Sequence, residues 1–446
     1  MTDLAGLTGA LLEAAAKAGA EQADAIAVAG TSLSIDLRHG RLETAERAEG
    51  TEIGLRVLIG GRQACVSASD LSGATISALA ERAVAMAAEA PADPYAGLAD
   101  PGQIARQWDL AALEMADPAP EPDAATLEAA ARAVEAAAMS VKGITQVEAS
   151  GAYSRRQMHL AASNGFSGGY GRTSHSLSAV AFTGEGTAME RDWAAEGRIF
   201  AADMPGADGI GQLAAERALQ RAGAVKPRTG SFPVLFDERV ASSLIGHLLS
   251  TSNGAAVARG ATWLRDALGQ QVLPRGMDVI EDPHRPRIAA SRPFDGEGLP
   301  TRRRLIVQDG VLMGWTLDLA TGRRLGLPST ANAARGVSSP PSPATSNIDL
   351  TPGAYSRDDL IAQMGTGLLV TSMIGSTISA TTGDYSRGAA GFWVENGQIS
   401  HPVNECTIAG NLREMLLRIV VANDARAHLS TRVPSLLIDG MTLAGA

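Results

Sequence analysis

The chain has 446 residues, which is enough for two or three domains and for a core that needs no disulfide or metal to hold it. Hydrophobic residues make up 45% of the sequence and charged residues 19%, an ordinary globular composition. The formal net charge of −10 argues against a protein that neutralises the phosphates of nucleic acid. Three consecutive arginines, Arg302 to Arg304, are interpreted as a solvated turn or strand end.

The cysteines and the apolar stretches bear on the compartment of the protein. Cys65 and Cys406 lie far apart, which indicates two small buried side chains and neither a disulfide framework nor a metal ribbon. Residues 1–4 show no basic stretch that leads into an apolar run, so no secretory signal is predicted. No apolar stretch approaches the length of a membrane span. We therefore expect a cytoplasmic protein that binds neither membranes nor nucleic acid.

The N-terminal half alternates between helical and strand-like patterns. Leucines repeat at helical spacing in residues 4–18, and Ser72 is a predicted cap of a second helix. Between these helices, the alternating residues 52–59 pass through Gly60-Gly61 into a second strand, which predicts a β-hairpin. Further helices are predicted at 127–138 and 210–222, and strands across 144–202.

These patterns predict a first domain over residues 1–223. It is an N-terminal α/β domain of two helix-plus-sheet halves, joined by a connection of about residues 90–123 that contains six prolines. Internal duplication is conceivable, although no repeat is visible residue by residue.

Residues 224–446 are predicted to form a C-terminal, mainly antiparallel β domain with a few helices, which makes the fold class α+β. Asp309-Gly310 and Asn396-Gly397 lie between apolar runs and are strong signals for tight hairpin turns. Helices are predicted at 238–251, after the capping-box pair Ser356 and Asp359, and after the cap Asn411. The stretch 328–347 is predicted to be a long loop.

Residues that could hold a metal are scattered along the chain. No two of the seven histidines lie closer than 16 residues, so the helical histidine pair typical of a zinc peptidase is absent. His247 falls on the predicted helix 238–251, near its apolar stripe, and is interpreted as a packed residue at the edge of the core.

Two other patterns have both a chemical and a structural interpretation. Gly165 to Gly169 matches G-x-S-x-G, but a nucleophilic Ser167 needs a helix after the turn, and the residues that follow look like a strand. Asp384 and Glu395 could act as paired carboxylates. We favour a turn in which Asp384 accepts hydrogen bonds from backbone amides.

Several segments, taken together, resemble the TldD/PmbA family and specifically its PmbA (TldE) branch. They follow the order found in that family and cover nearly the whole chain, and the block from Thr382 to Leu412 is the most specific of them. The segments are Gly54–Leu58, Asp93–Asp100, Ser329–Asn332, Pro341–Pro343, Thr382–Ala389, Gly391–Gly397, Pro402-Val403 and Thr407–Leu412.

The resemblance implies an α/β N-terminal domain and a mainly β C-terminal domain. In this family, a TldD-like subunit holds a metal through an H-E-x-x-x-H helix and a later cysteine, and it pairs with a PmbA-like subunit. The pair resembles a closed shell that admits short or unfolded peptides to a peptidase site inside.

This chain departs from the family pattern at the metal helix. An ungapped placement puts Ile245 and Ser250 at the two ligand histidines and Gly246 at the general-base glutamate. No cysteine follows Ala422, and Cys406 lies upstream of the place where the ligand cysteine would be. The resemblance therefore assigns no catalytic residue and no metal ligand to this chain, and zinc is expected in a partner subunit.

The first functional hypothesis is a PmbA-like subunit, inactive alone, that completes the chamber of a TldD–PmbA-type metallopeptidase and holds extended peptide on its strand edges. The heterodimer, or a higher assembly, would contain a TldD-like partner and a peptide substrate. An alternative is a stand-alone, non-catalytic peptide-binding or regulatory homodimer, and a third is a serine hydrolase that uses Ser167. The family-motif residues proposed for the chamber or interface are Asp384, Tyr385, Arg387, Gly388, Asn396, Gly397 and Asn411.

Overall fold

The computed structural model describes residues 2–445. Its N-terminal part is one antiparallel sheet of six long strands in the order β3-β2-β1-β4-β5-β6, with the helices packed against it. The elements in chain order are α1 Leu4–Lys17, β1 Gln22–Arg38, β2 Arg41–Ile59, β3 Arg62–Ala68, α2 Gly73–Glu89, α3 Leu110–Leu113, α4 Ala124–Met139, β4 Ile144–Ala162, β5 Ser167–Thr183, β6 Glu190–Arg198 and α5 Ala207–Gln220.

A helix, a three-stranded meander and a second helix occur twice in this order, as α1-β1-β2-β3-α2 and as α4-β4-β5-β6-α5. The two halves meet where β1 pairs antiparallel with β4. Alternate residues of one strand point to the same face of a sheet. Ala25 of β1 contacts the core under α1 and α2, and Ile35 contacts the core under α4. Both helix pairs therefore cover one face.

The close packing of α4 against α5 explains why residue 211 of α5 is a glycine. A Cβ atom on Gly211 would lie 2.2 Å from the Val134 carbonyl oxygen of α4, a distance that forces the helices apart. Ala214 and Ala218 of α5 are fully buried along the same contact. The small residues of this Ala-rich chain thus let helices and sheet approach closely.

The C-terminal part is mainly β, and the α+β fold class is confirmed. Five strands close into a barrel, because β16, β15, β14, β7 and β19 are neighbours in that order and β16 also pairs with β19. The elements are β7 Gly230–Phe236, α6 Glu238–Thr251, α7 Gly254–Ala258, β8 Val279–Glu281, β9 Arg304–Gln308, β10 Val311–Leu312, α8 Leu319–Leu325, β11 Ala333–Ala334, β12 Ser342–Pro343, β13 Ile348–Leu350, α9 Arg357–Met364, β14 Gly367–Ile378, β15 Asp384–Glu395, β16 Gln398–Asn411, α10 Leu412–Leu417, β17 Val420–Val421, β18 Thr431–Arg432 and β19 Leu436–Ala444.

A second sheet, β10-β9-β8-β13-β18, lies beside the barrel strands and shares their hydrophobic core. Arg304 lies at the start of β9, and the prediction that its side chain is solvated is wrong. Its guanidinium donates to the buried carboxylate of Glu281 at 2.7 Å and to the Trp315 carbonyl at 3.0 Å. Arg302 and Arg303 are exposed. Within residues 2–445, no helix is long and apolar enough to cross a membrane.

Buried charges join the N-terminal sheet to the C-terminal part. Asp24 of β1 accepts a hydrogen bond from Arg56 of β2 at 2.7 Å, and it also contacts Arg335, which follows β11. The three side chains are 5%, 4% and 1% exposed, respectively. Burial lowers the pKa of Arg335 to about 9, so its guanidinium is still protonated at neutral pH. One carboxylate is therefore shared by two buried cations from different parts of the chain.

We expect Asp24→Asn to lower the free energy of unfolding by about 3–5 kcal/mol, because two buried guanidiniums lose their counter-charge. Urea unfolding followed by circular dichroism measures the change. The control is Asp358→Asn, whose side chain is 85% exposed and whose expected effect is within about 0.5 kcal/mol. Equal stability of the two variants would contradict this role of Asp24.

Glu297 gives the protein a pH-dependent stability. Burial, together with Asp295 and Asp318, raises the pKa of its carboxyl to about 8, whereas the unfolded chain ionises it at an ordinary value. The stability that this difference provides is complete below the unfolded pKa and is lost as the pH rises through about 8. We expect the stability of Glu297→Gln to depend less on pH. The Tm of this variant should therefore increase relative to the Tm of the wild type as the pH rises from 5 to 8.5.

The matched control is Glu414→Gln, whose side chain is 70% exposed and whose Tm difference from the wild type should stay constant over the same pH range. Differential scanning calorimetry at a series of pH values measures both variants. A Tm difference for Glu297→Gln that does not change with pH would show that Glu297 is already ionised in the folded protein.

Candidate functional site

Helix α6 leaves the barrel directly after β7 and turns its apolar face into the core. Asp237 caps it by accepting from the Arg239 amide at 3.2 Å. Leu244, Ile245 and Leu248 are each 0% exposed and contact the barrel residues. Ile245, which the sequence placed at a ligand position, is therefore a core residue.

Ser250, which the resemblance matches to the second ligand, and Gly246, which it matches to the general base, lie elsewhere on α6. Ser250 is exposed, and its hydroxyl donates to the His247 carbonyl of its own helix at 2.9 Å. Gly246 is exposed, with open space where a side chain would stand. The helix thus points Ile245 inward and Ser250 outward.

These residues do not fit a metal ion. The aliphatic side chain of Ile245 offers no lone pair, and the hydroxyl of Ser250 is engaged with the backbone on a different face of α6. Throughout residues 2–445, no three His, Cys, Asp or Glu side chains are grouped as metal ligands. We therefore derive no catalytic step through a metal in this chain.

His247 is half-buried and packs edge-on against Tyr385 of β15, with ring centroids 6.0 Å apart. Burial, with the nearby charge of Arg387, lowers the pKa of His247, so the ring is neutral at pH 7. The Tyr385 side chain is buried, and its hydroxyl donates to the Met373 sulfur at 3.3 Å. Burial raises the pKa of Tyr385 to about 12. The pair is part of the packing between α6 and the barrel.

The β14–β15 hairpin contains two more of the family-motif residues. Arg387 donates from Nε to the Gly375 carbonyl at 2.7 Å across the hairpin. Gly388 lies opposite Ile374, and a Cβ on Gly388 would stand 2.6 Å from the Ile374 side chain. The glycine thus lets Ile374 lie across the neighbouring strand.

Asp384 and Asn411 close a turn beside this hairpin. Thr382 donates to the Asp384 carboxylate at 2.7 Å and Asn411 donates to it at 3.2 Å, and these bonds lower the pKa of Asp384. Asn411 also caps α10 by accepting from the Arg413 amide. Asp384 lies beside a turn, but its carboxylate accepts from side chains, so the prediction that it accepts from backbone amides is wrong.

Asn396 and Gly397 lie at the opposite end of β15, in the tight turn to β16. Both have positive φ angles, 52° and 73°, as a hairpin turn of this type requires. The family-motif residues are therefore divided between the two ends of one strand, with 384–388 and 411 at one end and 396–397 at the other.

Ser167 begins strand β5, so no helix follows the G-x-S-x-G turn. His159 Nε2 lies 3.4 Å from the Ser167 hydroxyl, and Thr8 contacts the other ring nitrogen at 2.8 Å. A nucleophile elbow needs the strand–turn–helix geometry that supplies backbone amides to an oxyanion. The serine hydrolase interpretation fails because this geometry is absent at Ser167.

The structure also shows two cavities that the sequence did not predict. Both lie between the N-terminal part and the barrel. One, of about 480 Å³, is lined by residues of α5, the start of α6, and β14 to β16. The other, of about 700 Å³, is lined by residues of β5 and β6, Arg221 and Ser372 of β14. An exposed tryptophan on β6, Trp193, is the sequence feature that could have drawn attention to this region.

The sequence matches three domain models of one family in order along the chain. Residues 23–87 match PmbA/TldA metallopeptidase domain 1, residues 117–222 the PmbA/TldA metallopeptidase central domain, and residues 229–445 the PmbA/TldA metallopeptidase C-terminal domain. The chain is 38% identical to the metalloprotease PmbA of Escherichia coli O157:H7 over 93% of its own length and 90% of that protein. The chain belongs to the PmbA/TldD metallopeptidase family.

Solved structures agree with this membership. A Bacteroides thetaiotaomicron protein, described as a proposed modulator of DNA gyrase, is 27% identical to this PmbA/TldD family member, with a TM-score of 0.91 over 99% of this chain and 98% of that one. TldE from Thermococcus kodakarensis is 18% identical, with a TM-score of 0.86 over 98% of this chain and 100% of that one, and it shares the fold.

We expect that writing the family's metal sequence into α6 does not create a metal site. The triple variant Ile245→His, Gly246→Glu and Ser250→His should lose about 2–5 kcal/mol of stability, because an imidazole replaces a fully buried isoleucine. It should also bind no zinc. Urea unfolding and elemental analysis measure the two effects, with Ser250→His alone as the exposed control. A triple variant that binds one zinc per chain at wild-type stability would contradict the packing described for Ile245.

Proposed function

We propose that this chain is the PmbA (TldE)-like, metal-free subunit of a cytoplasmic TldD–PmbA-type metallopeptidase that degrades peptides or small unfolded proteins. The observation that carries the proposal is the position of α6. The helix that matches the family's metal helix buries Ile245 in the core and turns Ser250 to solvent. Membership in a metallopeptidase family, combined with a helix that lacks ligands, favours a partner that supplies zinc.

In such a complex, the role of this chain is to form part of the structure and to bind substrate. Its long sheet and its barrel provide walls, and its cavities between them provide surface for peptide. Because this chain presents no set of metal ligands in residues 2–445, bond cleavage falls to the TldD-like partner. Proteolysis then requires both chains, whereas peptide binding does not.

The test is purification of this chain alone and after co-expression with a TldD-like subunit. We expect zinc and hydrolysis of an unfolded peptide substrate in the co-purified complex, and neither in the lone chain. Elemental analysis, size-exclusion chromatography with light scattering, and a fluorogenic peptide assay measure these outcomes.

Two results would overturn the proposal. Zinc-dependent hydrolysis by the lone chain would make it a complete enzyme. A stable homodimer that recruits no TldD-like chain would instead support a stand-alone peptide-binding or regulatory protein.

A further inference from the structure

The smaller cavity, of about 480 Å³, has walls from both parts of the molecule. Leu213 and Arg217 of α5 line it on the N-terminal side, and Glu238 at the start of α6 lines it on the C-terminal side. Residues of β14 to β16 complete the wall. The volume lies within the range of about 300–1,000 Å³ that is typical of small-molecule sites. A ligand in this cavity would therefore contact both parts at once.

Most charges that line this cavity are already neutralised by their neighbours. Asp237 accepts from Arg239 at 3.1 Å and from Arg357 at 3.2 Å. Arg239 also donates to Asp192 of β6 at 3.1 Å. Glu216 is exposed, so water solvates its carboxylate. These groups require no ligand of opposite charge.

Arg217 and Glu238 are the exceptions among the arginines and carboxylates that line the cavity. Both are half-buried, and neither forms an ion pair with another residue of the described chain. Burial lowers the pKa of Arg217 and raises the pKa of Glu238, because each charged form loses water. Each charge also acts on the pKa of the other, so the two groups are near neighbours. A cation and an anion thus line one cavity without contacting each other.

The residues around these two groups are engaged elsewhere. Nη1 of Arg217 donates to the Trp193 carbonyl at 3.0 Å, which is a neutral acceptor. Arg426 is the basic residue that acts most strongly on Glu238, but it is paired with Glu196 of β6. Arg217 and Glu238 therefore each retain hydrogen-bonding capacity for a group of opposite charge.

The rest of the wall favours a ligand that also has an apolar part. Leu213 and Ile399 are 38% and 48% exposed, and the buried side chains of Leu369 and Phe392 also line the cavity. An aliphatic group would cover these residues and gain buried apolar area. Thr371 is 6% exposed, and its hydroxyl lacks a hydrogen-bond partner in the described part of the chain. The cavity therefore has one more polar group to satisfy.

We propose that this cavity binds a free α-amino acid with an apolar side chain, its ammonium group on Glu238 and its carboxylate on Arg217. A metal cation or a simple anion would be attracted by one of these residues and repelled by the other, whereas a zwitterion satisfies both. The inference rests on the proposed function for the source of the ligand, because complete hydrolysis of a peptide releases free amino acids. The bound product would bridge α5 and α6 and stabilise the junction between the two parts.

The first test is isothermal titration calorimetry of the full chain with L-leucine, N-acetyl-L-leucine and L-leucinamide. We expect one leucine to bind per chain. N-acetyl-leucine lacks the ammonium group and leucinamide lacks the carboxylate, so each should bind about tenfold more weakly than leucine. Equal affinity for the three ligands, or no saturable binding of leucine, would overturn the proposal.

Two variants assign the charges of the ligand to residues of the cavity. Glu238→Gln should weaken the binding of leucine about tenfold without weakening the binding of N-acetyl-leucine, which has no ammonium group to lose. Arg217→Gln should weaken the binding of leucine by the same factor without weakening the binding of leucinamide. A variant that is damaged only in its fold would weaken all ligands alike. Equal weakening of leucine and of the matching analogue would contradict the assignment.

The matched controls are Glu414→Gln and Arg418→Gln, whose side chains are 70% and 64% exposed and lie outside the cavity. Both should bind the three ligands as the wild type does. Differential scanning calorimetry gives a second readout, because a ligand that binds only the folded chain raises its Tm. Leucine should raise the Tm of the wild type and of both controls more than the Tm of Glu238→Gln or Arg217→Gln. The same increase in all five proteins would reject this site.

Failure of this inference can be told apart from failure of the proposed function. The binding assays use the chain alone and need neither zinc nor a partner, whereas the proposed function is judged on co-purification and on hydrolysis by the complex. Leucine binding at Glu238 and Arg217 without a TldD-like partner would retain the site within a stand-alone binding protein. An active, zinc-dependent complex whose isolated PmbA-like chain binds no leucine would retain the function and reject the site.

Discussion

The junction between the N-terminal sheet and the C-terminal part depends on one buried carboxylate that is shared by two guanidiniums. Asp24 lies on the central pair of strands of the N-terminal sheet, Arg56 comes from the adjacent strand, and Arg335 arrives from the C-terminal part. A buried charge without a partner is strongly unfavourable, so both guanidiniums depend on the Asp24 carboxylate. The sheet is thereby held against the C-terminal part, next to the apolar contact of Ile26 and Leu160 with Phe294.

Helix α6, which the resemblance matches to the metal helix of the family, is a packing element in this chain. Its residues Leu244, Ile245 and Leu248 pack in the barrel core. At its C-terminal end, the hydroxyls of Ser250 and Thr251 donate to the His247 carbonyl of the same helix. His247 contributes to the same packing through Tyr385, with a ring kept neutral by burial. The barrel core therefore includes Ile245, which the resemblance matches to one ligand position, whereas Ser250 lies outside the core.

The same helix creates the unpaired edge on β14. Parallel pairing between β7 and β14 lasts three residues and ends because the chain must leave β7 to start α6. A barrel strand that loses one neighbour part-way along its length offers backbone donors and acceptors to a new strand. Exposed apolar groups concentrate in the same region, with Ile374 on the hairpin and Trp193 on β6.

The sequence by itself determined the local structure and the family. The turn at Asn396-Gly397, the capping box of Ser356 with Asp359 and the Asn411 cap follow from residues a few positions apart, and all three are present. Tertiary structure alone decided the closure of the barrel, the burial of Arg304 on Glu281, and the cavities beside β14. These features join residues separated by tens or hundreds of positions, and no periodicity of 2 or 3.6 residues records such contacts. The role of Ile245 depended on both, since the sequence removed the ligand and the fold placed the side chain in the core.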